Sequence, residues 1–296
     1  MRNAFVDELL AAAEVHENIV LVVGDLGYGV VEPFAKRFPR RFFNSGVAEQ
    51  NMMGFSAGLA SEGFHVFVYS IANFATFRCA EQIRNDVDYH NLPVTIVIVG
   101  GGLAYGNLGY SHHAVQDYAL MRGMPNMLIA APGDPMEVRA CMRYLVAKPQ
   151  PSYFRLGKAG EPCLHSSVPA VEPGKWLTLK EGDGTDRTIL STGAPLALSW
   201  KWIDGQEQYA GYALHSMPLW GMKYKSSQAN EIGKWGRVVT VEDHLLDCGF
   251  GSWMMESLAV QPDLIPRMRM IGLDSAVCGM VGRQDTLNSV AGLSAM

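Results

Sequence analysis

The stretch Ser45-Gly46-Val47-Ala48-Glu49-Gln50-Asn51-Met52-Met53-Gly54 joins a polar turn to the start of a predicted helix. Small side chains continue to Ala60, so this helix can pack closely against a partner. A carboxylate in the first helical turn, such as that of Glu49, is favoured by the helix dipole. Taken alone, the stretch fits an ordinary helix start as well as a functional carboxylate, and the neighbouring segments must distinguish the two.

The length and charge of the chain exclude several classes of protein. Its 296 residues suit two domains, each large enough for a core of its own. A net charge of −5 gives no reason to expect nucleic acid or an anionic membrane as partner. We expect no signal peptide, and apolar runs such as Val94–Val99 are too short to span a bilayer.

The cysteines predict a reducing compartment. There are five of them, an odd number, and none forms a Cys-x-x-Cys pair. They therefore indicate free thiols in a cytoplasmic protein, and neither a disulfide framework nor a zinc site. The five are Cys79, Cys141, Cys163, Cys248 and Cys278.

The first half of the chain alternates predicted helices with short apolar strands. Strands are predicted over 18–23, 65–69, 93–99, 127–131 and 152–155, and helices over 5–15, 46–61, 75–89 and 136–146. This alternation predicts an α/β fold, with a parallel sheet covered by helices on both faces. Ligands usually bind beyond the carboxyl ends of such strands. Gly24-Asp25, Tyr69-Ser70 and Gly100-Gly101-Gly102 are predicted to lie at those ends.

A segment rich in proline and glycine separates this half from a second, smaller α/β set. We predict a first domain over 1–165, a linker over 166–185 and a second domain over 186–296. Strands are predicted over 187–191, 212–214 and 237–241, and a helix over 253–259. The segment 200–209 has no clear pattern.

A second segment with chemical potential is Gly106-Asn107-Leu108-Gly109-Tyr110-Ser111-His112-His113, followed by an Arg-Gly-Met-Pro-Asn turn at 122–126. Imidazole can donate, accept or shuttle a proton near neutral pH, which makes His112 a candidate catalytic residue. No role is predicted for His113. A metal site on the two histidines is disfavoured, because no acidic or cysteine ligand stands at a suitable spacing, and we predict no metal ligand.

These two segments resemble the transketolase family of thiamine-diphosphate enzymes. In that family, a glutamate at the position of Glu49 hydrogen-bonds N1′ of the cofactor's aminopyrimidine ring. A histidine at the position of His112 touches the oxygens of the two-carbon fragment. The resemblance implies thiamine diphosphate as cofactor, Glu49 and His112 as catalytic residues, and a pyrimidine-binding domain followed by a transketolase C-terminal domain.

The resemblance also implies where the aminopyrimidine ring binds. Phe74 and Phe77 fall on family aromatics that enclose the ring, and their spacing places them on one helix face. Such a pocket lowers the local dielectric around Glu49, although packing in the core would explain the two rings equally well. A third family aromatic falls on Ala80, so the pocket is less closed or is completed elsewhere. Asp25 falls on a family acid that lies near the thiamine.

The family motif that binds Mg²⁺ and the diphosphate is missing. Gly182-Asp183-Gly184 has the right letters, but the next asparagine is Asn230, which is too distant, and the triplet is typical of a turn. The resemblance therefore implies the C-terminal subunit of a split transketolase. Its partner is an N-terminal subunit that carries the Gly-Asp-Gly…Asn motif and holds Mg²⁺, and an α₂β₂ heterotetramer is expected.

The substrate is expected to be a small sugar held by basic residues. Arg2 and Lys158 fall on two family phosphate-binding positions, and Arg155 is a nearby alternative. Lysine stands where arginine is usual, and it cannot bind phosphate in a bidentate manner. A family histidine is replaced by Gly100, and the acid that reads the donor's hydroxyl groups by Leu108. Gly29 replaces a family serine. A modified, deoxy or non-phosphorylated sugar, or a 2-oxo acid, is therefore a plausible donor.

The predicted function is transfer of a two-carbon ketol unit from a ketose to an aldehyde, in carbohydrate metabolism. One alternative is the β subunit of a 2-oxo-acid decarboxylating enzyme, and another is an enzyme similar to deoxyxylulose-phosphate synthase. A partner that keeps the fold without turnover is a third alternative, and the presence of both Glu49 and His112 argues against it.

Overall fold

A computed structural model describes residues 1–184 and 186–294, and within them the chain forms two β-sheets with helices around them. The strands are β1 (Ile19–Val23), β2 (Phe42–Asn44), β3 (His65–Ile71), β4 (Val94–Val99), β5 (Leu128–Ala130), β6 (Ser152–Leu156), β7 (Leu177–Lys180), β8 (Arg187–Ser191), β9 (Ala213–Ser216), β10 (Leu219–Trp220), β11 (Arg237–Leu245) and β12 (Met268–Leu273). The helices are α1 (Arg2–Val15), α2 (Glu32–Arg37), α3 (Glu49–Ser61), α4 (Ala80–Gln82), α5 (Asp117–Met121), α6 (Pro135–Ala147), α7 (Leu196–Gly205), α8 (Gln228–Ile232), α9 (Phe250–Ser257) and α10 (Gln284–Val290).

The first sheet has seven strands in the order β10-β5-β6-β4-β3-β1-β2, all parallel except β10. Every residue of β1 and β4 is buried, which requires helices on both faces of the sheet. Phe5 and Leu9 of α1 pack with α6 on one face, and Met52 and Met53 of α3 pack on the other. The predicted α/β architecture with a parallel sheet is confirmed.

The second sheet has five strands in the order β12-β11-β8-β9-β7, of which only β7 is antiparallel to its neighbour. The predicted linker over 166–185 is too long, because β7 lies within it and pairs with β9. Thr185, Ala295 and Met296, which the predicted boundaries include, lie outside the described residues.

The second half of the chain contributes a strand to the first sheet. Leu219 and Trp220 of β10 pair antiparallel with Ala130 and Ile129 of β5. This pairing covers a sheet edge that would otherwise be free to bind another strand. The two sheets are therefore connected by more than the linker.

Several elements differ from the sequence-based prediction. The helix predicted over 75–89 consists of a 3₁₀ turn at Phe77–Cys79, the short α4, and a π-helix at Ile83–Asp88. The segment without a pattern forms most of α7. The strands β2, β7, β10 and β12 were not predicted. The first three have two to four residues, too few for a clear alternation of apolar and polar side chains.

None of the helices within residues 1–184 and 186–294 is long and apolar enough to cross a membrane.

Candidate active site

Glu49 is the first residue of α3, and its side chain is almost completely buried. The turn before it is fixed by Asn44 at the end of β2. Asn44 Oδ1 accepts hydrogen bonds from the backbone N–H groups of Asp25, at 3.0 Å, and Gly46, at 2.9 Å. The turn therefore joins the ends of β1 and β2 and holds the carboxylate of Glu49 at the carboxyl edge of the first sheet.

Arg78 is the direct partner of this carboxylate. Its Nη1 donates to Glu49 Oε1 at 3.1 Å, and its guanidinium carbon lies 4.1 Å from the ring centroid of Phe74. The Arg78 side chain is half exposed. One guanidinium group thus stacks on an aromatic face and bonds to Glu49, which are the two contacts expected of the aminopyrimidine ring. Sequence analysis did not identify Arg78, and a basic residue one position after Phe77 was the only signal for it.

His112 lies on the other side of Phe74, with the two ring centroids 5.2 Å apart in an edge-on arrangement. Asn73 Nδ2 fastens the loop that carries His112, because it donates to the carbonyl oxygens of Ser111, at 3.1 Å, and His113, at 3.0 Å. The loops after β3 and β4 are therefore joined, and they bring Phe74 and His112 together as the sequence predicted they should.

The pKa of His112 is lowered from its ordinary value of 6.5. Partial burial is the main cause, and the positive charges of Arg78 and His113 add to it. The imidazole is therefore predominantly neutral at pH 7. Its Nδ1 lies 3.0 Å from Ser111 Oγ, so one ring nitrogen has a partner and Nε2 is the one left for a substrate.

His113 is buried, and its Nε2 lies 3.4 Å from the carbonyl oxygen of Gly106 within the same loop. It supports the loop from inside, consistent with the absence of a predicted role.

Phe77 and Asp25 occupy the periphery of the site. The Phe77 ring is 48% exposed, on the same surface depression as Phe74 and Arg78. Asp25 has a left-handed backbone conformation with a φ of 54°, and its Oδ1 accepts hydrogen bonds from Asn44 Nδ2 and Tyr28 Oη, both at 2.9 Å. These bonds lower the pKa of the Asp25 carboxyl group and tie it to the turn before Glu49.

Arg2 and Lys158 lie on the far side of His112. Tyr105 connects the two regions, with its ring 6.5 Å from that of His112 and 5.6 Å from Lys158 Nζ. Arg2 Nε is buried and has no hydrogen-bond partner among the described residues, and the charge of Arg2 lowers the pKa of Tyr105 against the larger effect of burial. Two cations without an acidic partner in the described ranges thus flank one end of the site.

Arg155 does not line this site, and the prediction that it binds substrate is corrected. It is buried, its Nε donates to Asp117 Oδ2 at 2.7 Å, and Nη1 donates to Asp243 of the second sheet. Nη2 donates to the carbonyl oxygen of Ala114 at 2.8 Å. A guanidinium engaged on all three nitrogens inside the molecule cannot reach a substrate.

The residues present fit the pyrimidine end of the expected cofactor. A nearly buried carboxylate next to half-exposed aromatic rings suits a flat ring with a nitrogen that can be protonated. No group of three His, Cys, Asp or Glu side chains in residues 1–184 and 186–294 is placed to hold a metal ion. Asp183 lies on a turn beside Gly211, between β7 and β8. The described chain therefore offers a ring site but no diphosphate–metal site.

The chain is similar to known proteins along nearly its whole length. The family model for the transketolase pyrimidine binding domain matches residues 1–160. The second of the subunits named for the apulose-4-phosphate transketolase of Phocaeicola vulgatus is 34% identical over 283 residues, which cover 92% of this chain and 86% of that protein. The 6-deoxy-6-sulfo-D-fructose transketolase subunit SqwH of Clostridium sp. strain MSTE9 is 31% identical over 300 residues, covering 100% of this chain and 91% of that protein.

A solved structure described as a split gene transketolase, inactive beta4 tetramer, has the same fold. Its TM-score is 0.84 at 32% identity, and the match covers 99% of this chain and 93% of that one.

Proposed function

This chain belongs to the transketolase family, and we propose on that basis that it is the C-terminal subunit of a split transketolase, a transferase of two-carbon ketol units. The observation that carries the proposal is the arrangement of Glu49, Phe74 and His112. A nearly buried carboxylate, an aromatic face and a neutral imidazole follow one another along one edge of the sheet.

Glu49 is proposed to hold a proton at N1′ of the aminopyrimidine ring. Phe74 and Phe77 are proposed to stack against the ring and exclude water, and Asp25 to lie beside it. When bound, thiamine diphosphate supplies a nucleophilic carbon that accepts the ketol unit from a ketose and passes it to an aldehyde. Because Glu49 is shielded from solvent, its bond to the ring is stronger than it would be in water.

His112 is proposed to bind the oxygens of the two-carbon fragment. Its Nε2 faces away from the bond to Ser111, and the neutral ring can accept a proton from a hydroxyl group or, in the other tautomer, donate one. Which tautomer is present depends on the direction of the hydrogen bond between Ser111 and Nδ1.

The diphosphate and Mg²⁺ are proposed to bind to a partner, an N-terminal transketolase subunit with a Gly-Asp-Gly…Asn motif. An α₂β₂ heterotetramer is the expected assembly. The relatives named as subunits, and the inactive tetramer of a related chain, support the need for a partner.

Arg2 and Lys158 are proposed to bind the anionic end of a sugar substrate. Their charges have no acidic partner among the described residues, and the buried Nε of Arg2 lacks an acceptor that an anion would provide. The two relatives are named for donors with a phosphate and a sulfo group, both of them anionic. We place the enzyme in carbohydrate metabolism and in the cytoplasm, in line with its five free cysteines.

The alternatives based on decarboxylation have less support. Both relatives whose length this chain matches are transketolase subunits. Release of CO₂ from 2-oxo acids without transfer of a ketol group would favour the β subunit of a decarboxylating enzyme, or a deoxyxylulose-phosphate-synthase-like activity, instead.

The test is a ketol-transfer assay on this chain co-purified with its Gly-Asp-Gly…Asn partner, with thiamine diphosphate and Mg²⁺. We expect activity only from the mixture, and a loss of about 10²–10⁴-fold in Glu49→Gln, the range for general acid–base catalysis. Glu62→Gln, the same change at the exposed end of α3, serves as the control and should keep full activity. Full activity in Glu49→Gln would contradict the proposal.

A further inference from the structure

Tyr105 occupies the middle of the proposed substrate site, and no role has been assigned to it. Its ring is 6.5 Å from the His112 ring on one side and 5.6 Å from Lys158 Nζ on the other. It is partly buried against the core on the α1 side of the first sheet. Among the described residues its hydroxyl group forms no hydrogen bond within the chain.

Gly100 explains how the ring reaches this position. A Cβ atom built on Gly100 would overlap the Cε2 and Cδ2 atoms of Tyr105, so a side chain at residue 100 and the Tyr105 ring exclude each other. Gly100 also has a φ of +86°, a conformation that disfavours a side chain on its own account. The tyrosine ring thus fills the space that any side chain on residue 100 would need.

We infer that Tyr105 is a specificity-determining residue, whose phenol hydroxyl binds a hydroxyl group of the donor between its ketol end and its anionic end. This inference rests on the proposed function and deepens it. His112 marks the reacting end and Lys158 the anionic end, so the group between them faces the middle of the substrate chain.

The surroundings of Tyr105 define the class of donor. Gly100 has no side chain, and Leu108, which follows in the same loop, is apolar and 51% exposed. Of these three residues, the phenol carries the only polar side-chain group. The site therefore suits an anionic ketose in which one hydroxyl group is recognised in the middle of the chain. A donor that lacks this part of the chain should not sense Tyr105.

The first experiment compares two kinds of donor in the assembled enzyme. Hydroxypyruvate is a ketol donor without a hydroxylated chain, and a panel of five- and six-carbon ketose phosphates supplies the long donors. Tyr105→Phe keeps the ring and removes the hydroxyl group. We expect its kcat/KM to fall about three- to ten-fold for the best ketose phosphate, the equivalent of one neutral hydrogen bond, and to stay within about two-fold for hydroxypyruvate.

Tyr144→Phe is the matched control, because Tyr144 on α6 is another partly buried tyrosine that packs against the same core. It should leave both values unchanged. Equal values for Tyr105→Phe and the parent with the ketose phosphate, or an equal loss with both donors, would overturn the inference while the proposed function stands. A parent complex that is inactive with every donor would overturn the proposed function and this inference with it.

The second experiment tests the steric relation without any activity. Gly100→Ala is made in the parent and in Tyr105→Ala, and thermal unfolding is measured for all four chains. The substitution should lower Tm more in the parent than in Tyr105→Ala, because only the parent has a ring in the way. Gly63→Ala is the control, since Gly63 has a similar φ of +94° and no neighbouring atom within 4 Å. Its cost should be the same in both backgrounds. Equal costs for Gly100→Ala would show that the ring does not occupy this space.

Discussion

At the scale of single residues, Glu49 and Arg78 show how the site is organised before any ligand binds. Removing a carboxylate from water is costly unless a charged or hydrogen-bonding partner compensates. Glu49 is only 4% exposed, and Arg78 supplies that partner from the mouth of the site. The pair keeps a buried charge in place next to the aromatic face of Phe74.

A double-mutant cycle tests this dependence. Arg78→Met should lower the free energy of unfolding by about 1–3 kcal/mol, because it leaves the Glu49 carboxylate without a partner. The same substitution in Glu49→Gln should cost less, since the remaining amide is neutral. Urea unfolding of the subunit gives both values. Arg84→Met, at an exposed arginine that bonds only to its neighbour Asn85, is the control.

The acidic limb of the pH profile should report His112. Its pKa is lowered from 6.5, so protonation begins only below that value, and kcat/KM should fall as the pH decreases through it. Arg78→Met removes one of the positive charges that lower the pKa, so this limb should shift towards higher pH. Burial, the larger cause, remains. Steady-state kinetics from pH 5 to 8 would detect the shift, and an unchanged limb would argue against His112 as the titrating group.

At the scale of elements, the irregular helix after β3 positions the aromatic residues. Thr76 Oγ1 donates to the carbonyl oxygen of Ala72 at 2.8 Å, and a 3₁₀ turn begins at Phe77. A π-helix follows from Ile83 to Asp88. Irregular helical turns of this kind are frequent at functional sites. Here they place Phe74 and Arg78 on one surface, which a regular helix would not require.

The end of β4 is joined to β6 and β11 by buried charges. Arg155 of β6 bonds to Asp117 at the start of α5 and to Asp243 of β11. Gly101 and Gly102 make this possible, because Cβ atoms there would collide with Arg155 and Asp243 respectively. The glycine run that predicted a ligand loop therefore also serves the packing between the two sheets.

Arg155→Met should destabilise the chain by about 3–5 kcal/mol, the cost of leaving two buried carboxylates without their partner. Arg139→Met removes partly exposed ion pairs with Asp7 and Glu8 and should cost less than about 1 kcal/mol. Denaturant unfolding measures both. A normal stability combined with a raised KM in Arg155→Met would restore the substrate-binding role that the sequence suggested.

At the scale of the whole molecule, the two halves share one core. The largest apolar cluster contains Met52 and Val66 of the first half together with Trp220 and Trp253 of the second. The Tyr118 ring packs edge-on against Trp220, with the ring centroids 5.0 Å apart, and stacks on His244 at 5.1 Å. We therefore expect the subunit to unfold as one unit.

Calorimetry tests this cooperativity. The described subunit should give one heat-absorption peak, because the shared core and β10 couple the two sheets. A chain that ends at residue 165 should be less stable or aggregate, since it loses β10 and exposes the edge of β5. Two separate peaks, or a stable truncated domain, would instead support the predicted boundary at 165 as a folding boundary.

The sequence by itself determined the α/β class, most strands of the first sheet, and the positions of Glu49, Phe74 and His112 along one edge of it. These features are local, because apolar runs, glycines at strand ends and the polar turn before α3 can be recognised without knowing what packs against them. The same local information placed β7 in a linker and left β10 unrecognised, since both are short.

Only the tertiary structure decided the partners. Arg155 at a strand end looks the same in sequence whether it faces a substrate or two buried aspartates from distant segments. Likewise, nothing in the sequence connects Arg78 with Glu49, or Tyr105 with the space above Gly100. Charge pairing and steric exclusion act between residues that are far apart along the chain, so they are set when the sheets and loops come together.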